Sequence, residues 1–176
     1  MIKNRKKYFE NYVLNYEPFE WENKDFDDRP GFKNKNSFLI SYKRFYKVFS
    51  YILDIEHKFS NTIKVMDVGA WPGNMIKLIK DLFKDRLSEC AAIGLSFDKK
   101  FIYEFNKQNV KCISTEIDPS FPHAKKSIDW QIDNYDLALL LDTIEHLVEP
   151  NYCLDQINKS LKMNGYLIIT TDNITN

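Results

Sequence analysis

One stretch of ten residues, Val65-Met66-Asp67-Val68-Gly69-Ala70-Trp71-Pro72-Gly73-Asn74, constrains the fold more than any other part of the chain. It reads as a short apolar strand that stops at an acid, then a glycine-punctuated turn, then a helix. The helix begins near Asn74 and has Met75, Ile76, Leu78, Ile79, Leu82 and Phe83 as its apolar positions. A strand, a tight turn and a helix start in this order can cradle a nucleotide. Glycine lets backbone approach a ligand closely, and the first N–H groups of a helix have no partner inside it.

From Thr62 onward, apolar runs alternate with helical periodicity. Strands are expected at 63–68, 90–95, 110–115, 135–141 and 165–171, and helices at 74–84, 98–108 and 150–162. Residues Leu137 to Leu141 are apolar at every position, as in a strand covered on both faces. Strands alternating with helices imply right-handed crossovers and a parallel sheet, hence a doubly wound α/β fold. A ligand is then expected outside the carboxyl ends of the strands, near the switch point beside the first strand.

Residues 1–60 lack this rhythm and read as a helical N-terminal extension or cap, with the α/β core over 61–176. A short helix is expected within 2–15. Residues 16–36, with Pro18, Pro30, Gly31 and many charges, read as an irregular loop. Ser37 is a candidate N-cap for a helix through about Lys58, along which Phe38, Tyr42, Phe45, Phe49, Ile52 and Leu53 recur at helical spacing. Core packing is the expected role of that stripe. The N-terminal aromatics Tyr8, Tyr12, Tyr16, Phe19 and Trp21 are alternatively a partial cover for the ligand.

Composition narrows the function classes. Hydrophobic residues make up 44% and charged residues 28% of 176, which is globular material sufficient for one core. Lys+Arg and Asp+Glu both total 25, so nucleic-acid binding by bulk phosphate neutralisation is not expected. The one basic run, Lys3, Arg5, Lys6 and Lys7, reads as a solvated face. Cys90, Cys112 and Cys153 are scattered, without Cys-x-x-Cys spacing, and read as free, mostly buried thiols in a reducing compartment. No stretch reaches membrane-spanning length and the N-terminus has no signal-peptide apolar core, so a cytoplasmic protein is expected. His57, His123 and His146 form no metal-ligand constellation, and no metal is expected.

Asp67-Val68-Gly69-Ala70-Trp71-Pro72-Gly73 resembles the Asp-x-Gly-x-x-x-Gly loop of class I S-adenosylmethionine-dependent methyltransferases. Tyr135 through Asp142-Thr143-Ile144-Glu145-His146-Leu147 resembles that family's fourth strand, and its Glu-His-Leu ending is similar to the small-molecule, "type 11"-like branch. Leu161-Lys162-Met163-Asn164-Gly165, followed by the apolar run to Thr171, resembles the unit that leads into the fifth strand. The resemblance covers roughly residues 62 to 172. It implies a Rossmann-like sheet of order 3-2-1-4-5, S-adenosylmethionine as cofactor, S-adenosylhomocysteine as product, and a small-molecule methyl acceptor. The Thr171-Asp172-Asn173 ending is similar to enzymes acting on a sugar or other cell-surface precursor. The family's sheet normally continues with two further strands, whereas this sequence stops at Asn176, so a truncated piece of a longer protein is expected.

The resemblance also nominates site residues. Gly69, Ala70, Trp71 and Gly73 would approach the methionine part of the cofactor, with Asp67 supporting that loop or tying down its N–H groups. The family carries an acid soon after Gly94 to hold the ribose hydroxyls. Ser96 stands there, with Asp98 two residues on as either a ribose ligand or a helix cap. Trp71 occupies a place where many relatives have glycine. Glu116 or Asp118 would pair with the adenine amino group, or simply lie in a polar loop. Asp142 and Thr143 close the fourth strand beside the reactive methyl. His146 is the candidate catalytic base, or else part of a structural turn before Pro150. Two other functions stay open: a non-catalytic binding or scaffolding domain with this fold, and a nicotinamide-dependent oxidoreductase. The missing Gly-x-Gly-x-x-Gly counts against the latter.

Overall fold

The computed structural model describes residues 2, 4–15, 35–59, 62–71, 73–121, 130 and 134–171, with the side chains of 35–42 left aside. The expected loop at 16–36 lies outside these residues up to 34, and its last two positions are helical; the expectations for Tyr16, Phe19, Trp21, Lys3, Pro72, His123, Asp172 and Asn173 also lie outside them. The chain divides into two compact units, Met1–Phe59 and Ser60–Asn176.

The first unit holds α1 (Arg5–Leu14) and α2 (Lys35–Ile55), the latter running into a 3₁₀ turn at Glu56–Lys58. Asn4 caps α1 by accepting from Lys7 N at 3.0 Å. Helix α2 is already under way at Lys35, so Ser37 lies inside it and is not its cap. Apolar residues three and four apart bury one stripe of α2, comprising Phe45, Val48, Phe49, Ile52 and Leu53. Phe9 packs its ring 5.3 Å from that of Phe49, and Arg5 pairs with Asp54.

The second unit is a five-stranded parallel sheet of order β3-β2-β1-β4-β5. Its elements are β1 (Ile63–Val68), α3 (Asn74–Phe83), β2 (Leu87–Gly94), α4 (Lys99–Lys107), β3 (Lys111–Ser114), β4 (Tyr135–Leu141), α5 (Pro150–Ser160) and β5 (Leu161–Thr170). Strand alternation sends Met66, Val68, Ala91, Ile93, Ile113, Ala138 and Leu140 to one face, where Cys153 and Ile157 of α5 complete a core. Each fully buried aliphatic side chain there contributes roughly 1.5–3 kcal/mol. The opposite face carries Val65, Asp67, Cys90, Ala92, Leu137 and Leu139, all buried, and α3 covers it, with Lys80 in electrostatic range of Cys90. Helices thus lie on both sides of the sheet, and the central strands are apolar in consequence.

Two boundaries differ from expectation. Strand β2 starts at Leu87, not near 90, because Leu87 and Glu89 pair with Ile63 and Lys64. Strand β5 is counted from Leu161, but its pairing with β4 jumps from Leu161 to Tyr166. The residues between bulge outward, with Asn164 at φ +63, so the Asn-Gly turn signal is real locally.

The starts of the strands are pinned by charge. Lys64 Nζ meets Asn134 Oδ1 at 2.6 Å and Glu89 at 3.3 Å. Asp136 accepts from Lys64 N and Lys162 Nζ, both at 2.8 Å. This network ties β1, β2, β4 and β5 together at the end of the sheet away from the glycine turn.

Candidate active site at the carboxyl edge of the sheet

Because all five strands are parallel, their carboxyl ends bring four loops to one edge. These are Gly69–Gly73 after β1, Leu95–Asp98 after β2, Thr115–Phe121 after β3, and Asp142–Glu149 after β4.

The first loop is shaped by its glycines. Gly69 has φ +78 and Gly73 φ +100, a region that side chains disfavour. Gly69 N donates to Ile93 O at 2.8 Å, extending the sheet by one bond. A Cβ on Gly69 would lie 2.1 Å from Thr143 Oγ1, and one on Gly73 would lie 2.3 Å from Phe105 Cζ. Gly73 is also the N-cap of α3 and supplies no side-chain cap to its first N–H groups.

Asp67 stands at the end of β1 beneath this turn, 4% exposed. Among the described residues no N–H donates to its carboxylate, so it does not tie the loop down as the sequence suggests. The Gly69 N–H goes to Ile93 instead. Burial without a compensating partner pushes its acidity up to about 8. An acid in this state favours a cation, or a proton, beside it.

Trp71 stacks on Phe101, with ring centres 5.4 Å apart. Phe101 in turn stacks on Phe97 at 4.7 Å and on Phe105 at 4.3 Å. Phe97, Phe101 and Phe105 are spaced four apart, so one stripe of α4 and its leading turn forms a ladder of rings. That ladder was not singled out from the sequence, although the i, i+4, i+8 phenylalanines were there to find.

After β2, Ser96 is exposed, and Asp98 caps α4 by accepting from Lys100 N at 2.7 Å. The cap is the role in which Asp98 is seen. After β3, Thr115 is buried and its Oγ1 has no hydrogen-bond partner among the described residues. The Glu116 carbonyl accepts from Trp130 Nε1 at 3.4 Å. Its carboxylate neighbours the Tyr152 hydroxyl, whose acidity is weakened by burial first and by Glu116 second.

Asp118 is buried and engaged with backbone. It accepts from Val148 N at 2.6 Å, Ser120 N at 2.9 Å and Glu149 N at 3.2 Å. Burial opposes its charge, but these bonds hold its acidity below the usual carboxylate value. It therefore fastens the loop after β3 to the loop after β4.

Asp142 takes a left-handed conformation, φ +48, at the end of β4. Its N–H donates to Thr170 O at 3.0 Å, and its Oδ1 accepts from Thr170 Oγ1 at 2.9 Å. Thr143 is buried and donates from Oγ1 to Leu141 O at 3.0 Å. His146 ends a 3₁₀ turn, with its N–H donating to Thr143 O at 3.0 Å and its side chain exposed.

The edge thus gathers Asp67, Gly69, Ala70, Trp71, Gly73, Asp142, Thr143 and His146 on two adjacent loops, while Ser96, Asp98, Glu116 and Asp118 lie on the neighbouring pair. Among the described residues, no three His, Cys, Asp or Glu side chains cluster as metal ligands. Burial pushes the Cys90 and Cys153 thiols up to about 12 and Cys112 up to about 11, so none is a nucleophile at neutral pH.

A methyltransferase-domain family model matches residues 40–175. The chain belongs to this methyltransferase family. No curated protein matches the sequence. Among solved structures, a candidate sarcosine dimethylglycine methyltransferase from Galdieria sulphuraria is 15% identical with a TM-score of 0.55, covering 78% of this chain and 47% of its own. A coclaurine N-methyltransferase bound to N-methylheliamine and S-adenosylhomocysteine is 18% identical with a TM-score of 0.51, covering 70% and 34%. The [4+2]-cyclase SpnF is 15% identical with a TM-score of 0.50, covering 72% and 46%. These likenesses are of fold. The chain spans between a third and a half of the length of these structures. Among the described residues, no helix of this methyltransferase-family chain is long and apolar enough to cross a membrane.

Proposed function

We propose that the chain carries the cofactor-binding core of an S-adenosylmethionine-dependent methyltransferase that moves a methyl group to an oxygen or nitrogen of a small molecule. The observation that carries this reading is Asp67, an acid buried beneath a positive-φ glycine turn, with no N–H donating to it among the described residues, beside a helix start that has no side-chain cap among them. A ligand bearing both an ammonium and a carboxylate on a nucleoside suits that combination. Asp67 would hold the ammonium, and the N–H groups at the start of α3 would hold the carboxylate.

S-adenosylmethionine supplies an electrophilic methyl carbon when bound. Everything else is asked of the chain's own residues. Gly69 and Gly73 keep the backbone close to the amino-acid half. Ser96 and the rim after β3 would hold the nucleoside half. Asp142 and Thr143 fix the floor beside the transfer point, and His146 takes the proton from the acceptor. Methyl transfer to a neutral hydroxyl or amine needs in-line placement in a dry site more than covalent help, so much of the rate comes from positioning. An acceptor such as a sugar or cell-surface precursor, a cytoplasmic setting, and a covering role for residues 1–60 are parts of this proposal.

The test is to incubate the full chain with S-adenosylmethionine labelled on its methyl group and a small-molecule extract. Label appearing in a low-mass product supports the reading. A second reading, a ligand-binding domain without methyl transfer, is favoured by the matching fold of SpnF, which is described as a cyclase. Tight cofactor binding with no label transferred to any fraction would favour it.

A further inference from the structure

Phe105 ends the ring ladder of α4 against the ligand loop. It is fully buried, its ring lies 4.3 Å from that of Phe101, and its Cζ fills the space that a Cβ on Gly73 would need. Trp71, two residues before Gly73, rests on Phe101 of the same ladder. The turn between Gly69 and Gly73 is therefore backed at two points by one aromatic stack, and that stack is rooted in a different crossover helix.

We propose that Phe105 is a positioning residue for the amino-acid half of the cofactor, acting through Gly73. The inference rests on the methyltransferase reading above. Ring against glycine leaves no side chain between the ladder and the backbone, so any movement of Phe105 passes directly to the turn and to the start of α3. Interiors this closely packed transmit displacement instead of absorbing it. On that reading the nucleoside half would lie toward β2 and β3, away from Gly73. Loss of the Phe105 ring tip should then weaken the grip on one half of the ligand and leave the other alone.

The experiment compares S-adenosylhomocysteine with 5′-methylthioadenosine, which keeps the nucleoside and thioether but lacks the amino acid. Affinities are measured for wild type, Phe105→Leu, Phe105→Met and Phe83→Leu, with folding checked by thermal melting. Phe83 is a buried ring on α3 outside the ladder and serves as the control for lost core volume. Phe105→Leu should weaken S-adenosylhomocysteine by roughly tenfold while changing methylthioadenosine less than about twofold. Phe105→Met, which is long and adaptable, should recover most of the loss. Phe83→Leu should lower the melting temperature without altering either affinity. If Phe105→Leu folds and weakens both ligands equally, or neither, the inference falls while the cofactor site stands. If wild type binds neither ligand, the methyltransferase reading falls and takes this inference with it.

Discussion

The Thr143 side chain packs so closely on Gly69 that a Cβ there would meet its Oγ1 at 2.1 Å and its Cγ2 at 2.7 Å. The contact joins the loop after β1 to the loop after β4. It gives Gly69 a second reason to be glycine, beyond its φ of +78. Gly69→Ala should therefore cost roughly 2–5 kcal/mol, from left-handed strain plus overpacking. Adding Thr143→Ala removes Oγ1 and Cγ2 but keeps the Cβ at 2.9 Å, so the double variant should recover only part of that loss. Urea unfolding of the single and double variants measures both numbers.

Asp67 makes stability fall as pH rises. Its folded-state acidity is weakened from 3.8 to about 8 by burial, so the native state holds a proton that the unfolded chain releases. The contribution is fully present below pH 4 and is lost progressively up to about 8. Asp67→Asn keeps the shape and cannot ionise. It should melt close to wild type at pH 4 and higher at pH 8, by roughly 2–4 °C for each kcal/mol recovered. Thermal melts at the two pH values check the sign.

Asp118 acts in the opposite direction. Hydrogen bonds from Ser120, Val148 and Glu149 outweigh burial and hold its acidity below the ordinary value. Its stabilisation is present above the unfolded-state value of 3.8 and is lost as pH falls through the lower folded-state value. Asp118→Asn should lower the melting temperature at pH 7 and abolish that acid-side loss. Melting curves from pH 7 down to 3 test it. Hydrogen exchange of the Val148 and Glu149 amides should also quicken in the variant.

His146 is exposed on its 3₁₀ turn, and among the described residues its backbone N–H donates to Thr143 O while its side chain makes no hydrogen bond. His146→Gln should leave S-adenosylhomocysteine affinity and melting temperature unchanged. Methyl transfer to an acceptor that must lose a proton should fall by about 10²-fold or more. A matched pair of binding and turnover assays separates the two effects, and an unaffected rate would remove His146 from the chemistry.

Much of the second unit could be read from its residues. Strands with strong apolar runs, 63–68 and 135–141, have the bounds expected of them, and α3 begins at Asn74 as its glycine turn implies. The strand order follows the family resemblance. What pattern could not supply was pairing and partner choice. Leu87 and Glu89 lie ahead of the expected strand, and only their pairing with β1 brings them into it. Asp98 and Asp118 are chemically able to bind a nucleoside, but a backbone N–H engages one Asp98 oxygen, and N–H groups near and thirty residues away engage both oxygens of Asp118. Asp67 was expected to support the loop or tie down its N–H groups, yet among the described residues no N–H donates to it, and the Gly69 amide continues the sheet instead. Such choices depend on where three-dimensional neighbours point, which one-dimensional spacing does not encode.

The most direct test is calorimetric titration of the full chain with S-adenosylhomocysteine at pH 6.5 and 7.5, alongside Asp67→Asn. The account predicts micromolar binding by wild type, with a proton released from Asp67 as the ligand ammonium replaces it. Affinity should rise about tenfold per pH unit below 8, and that dependence should vanish in Asp67→Asn. Absence of binding by folded wild type at millimolar ligand would contradict the account. So would binding that is insensitive to both pH and the Asp67 substitution.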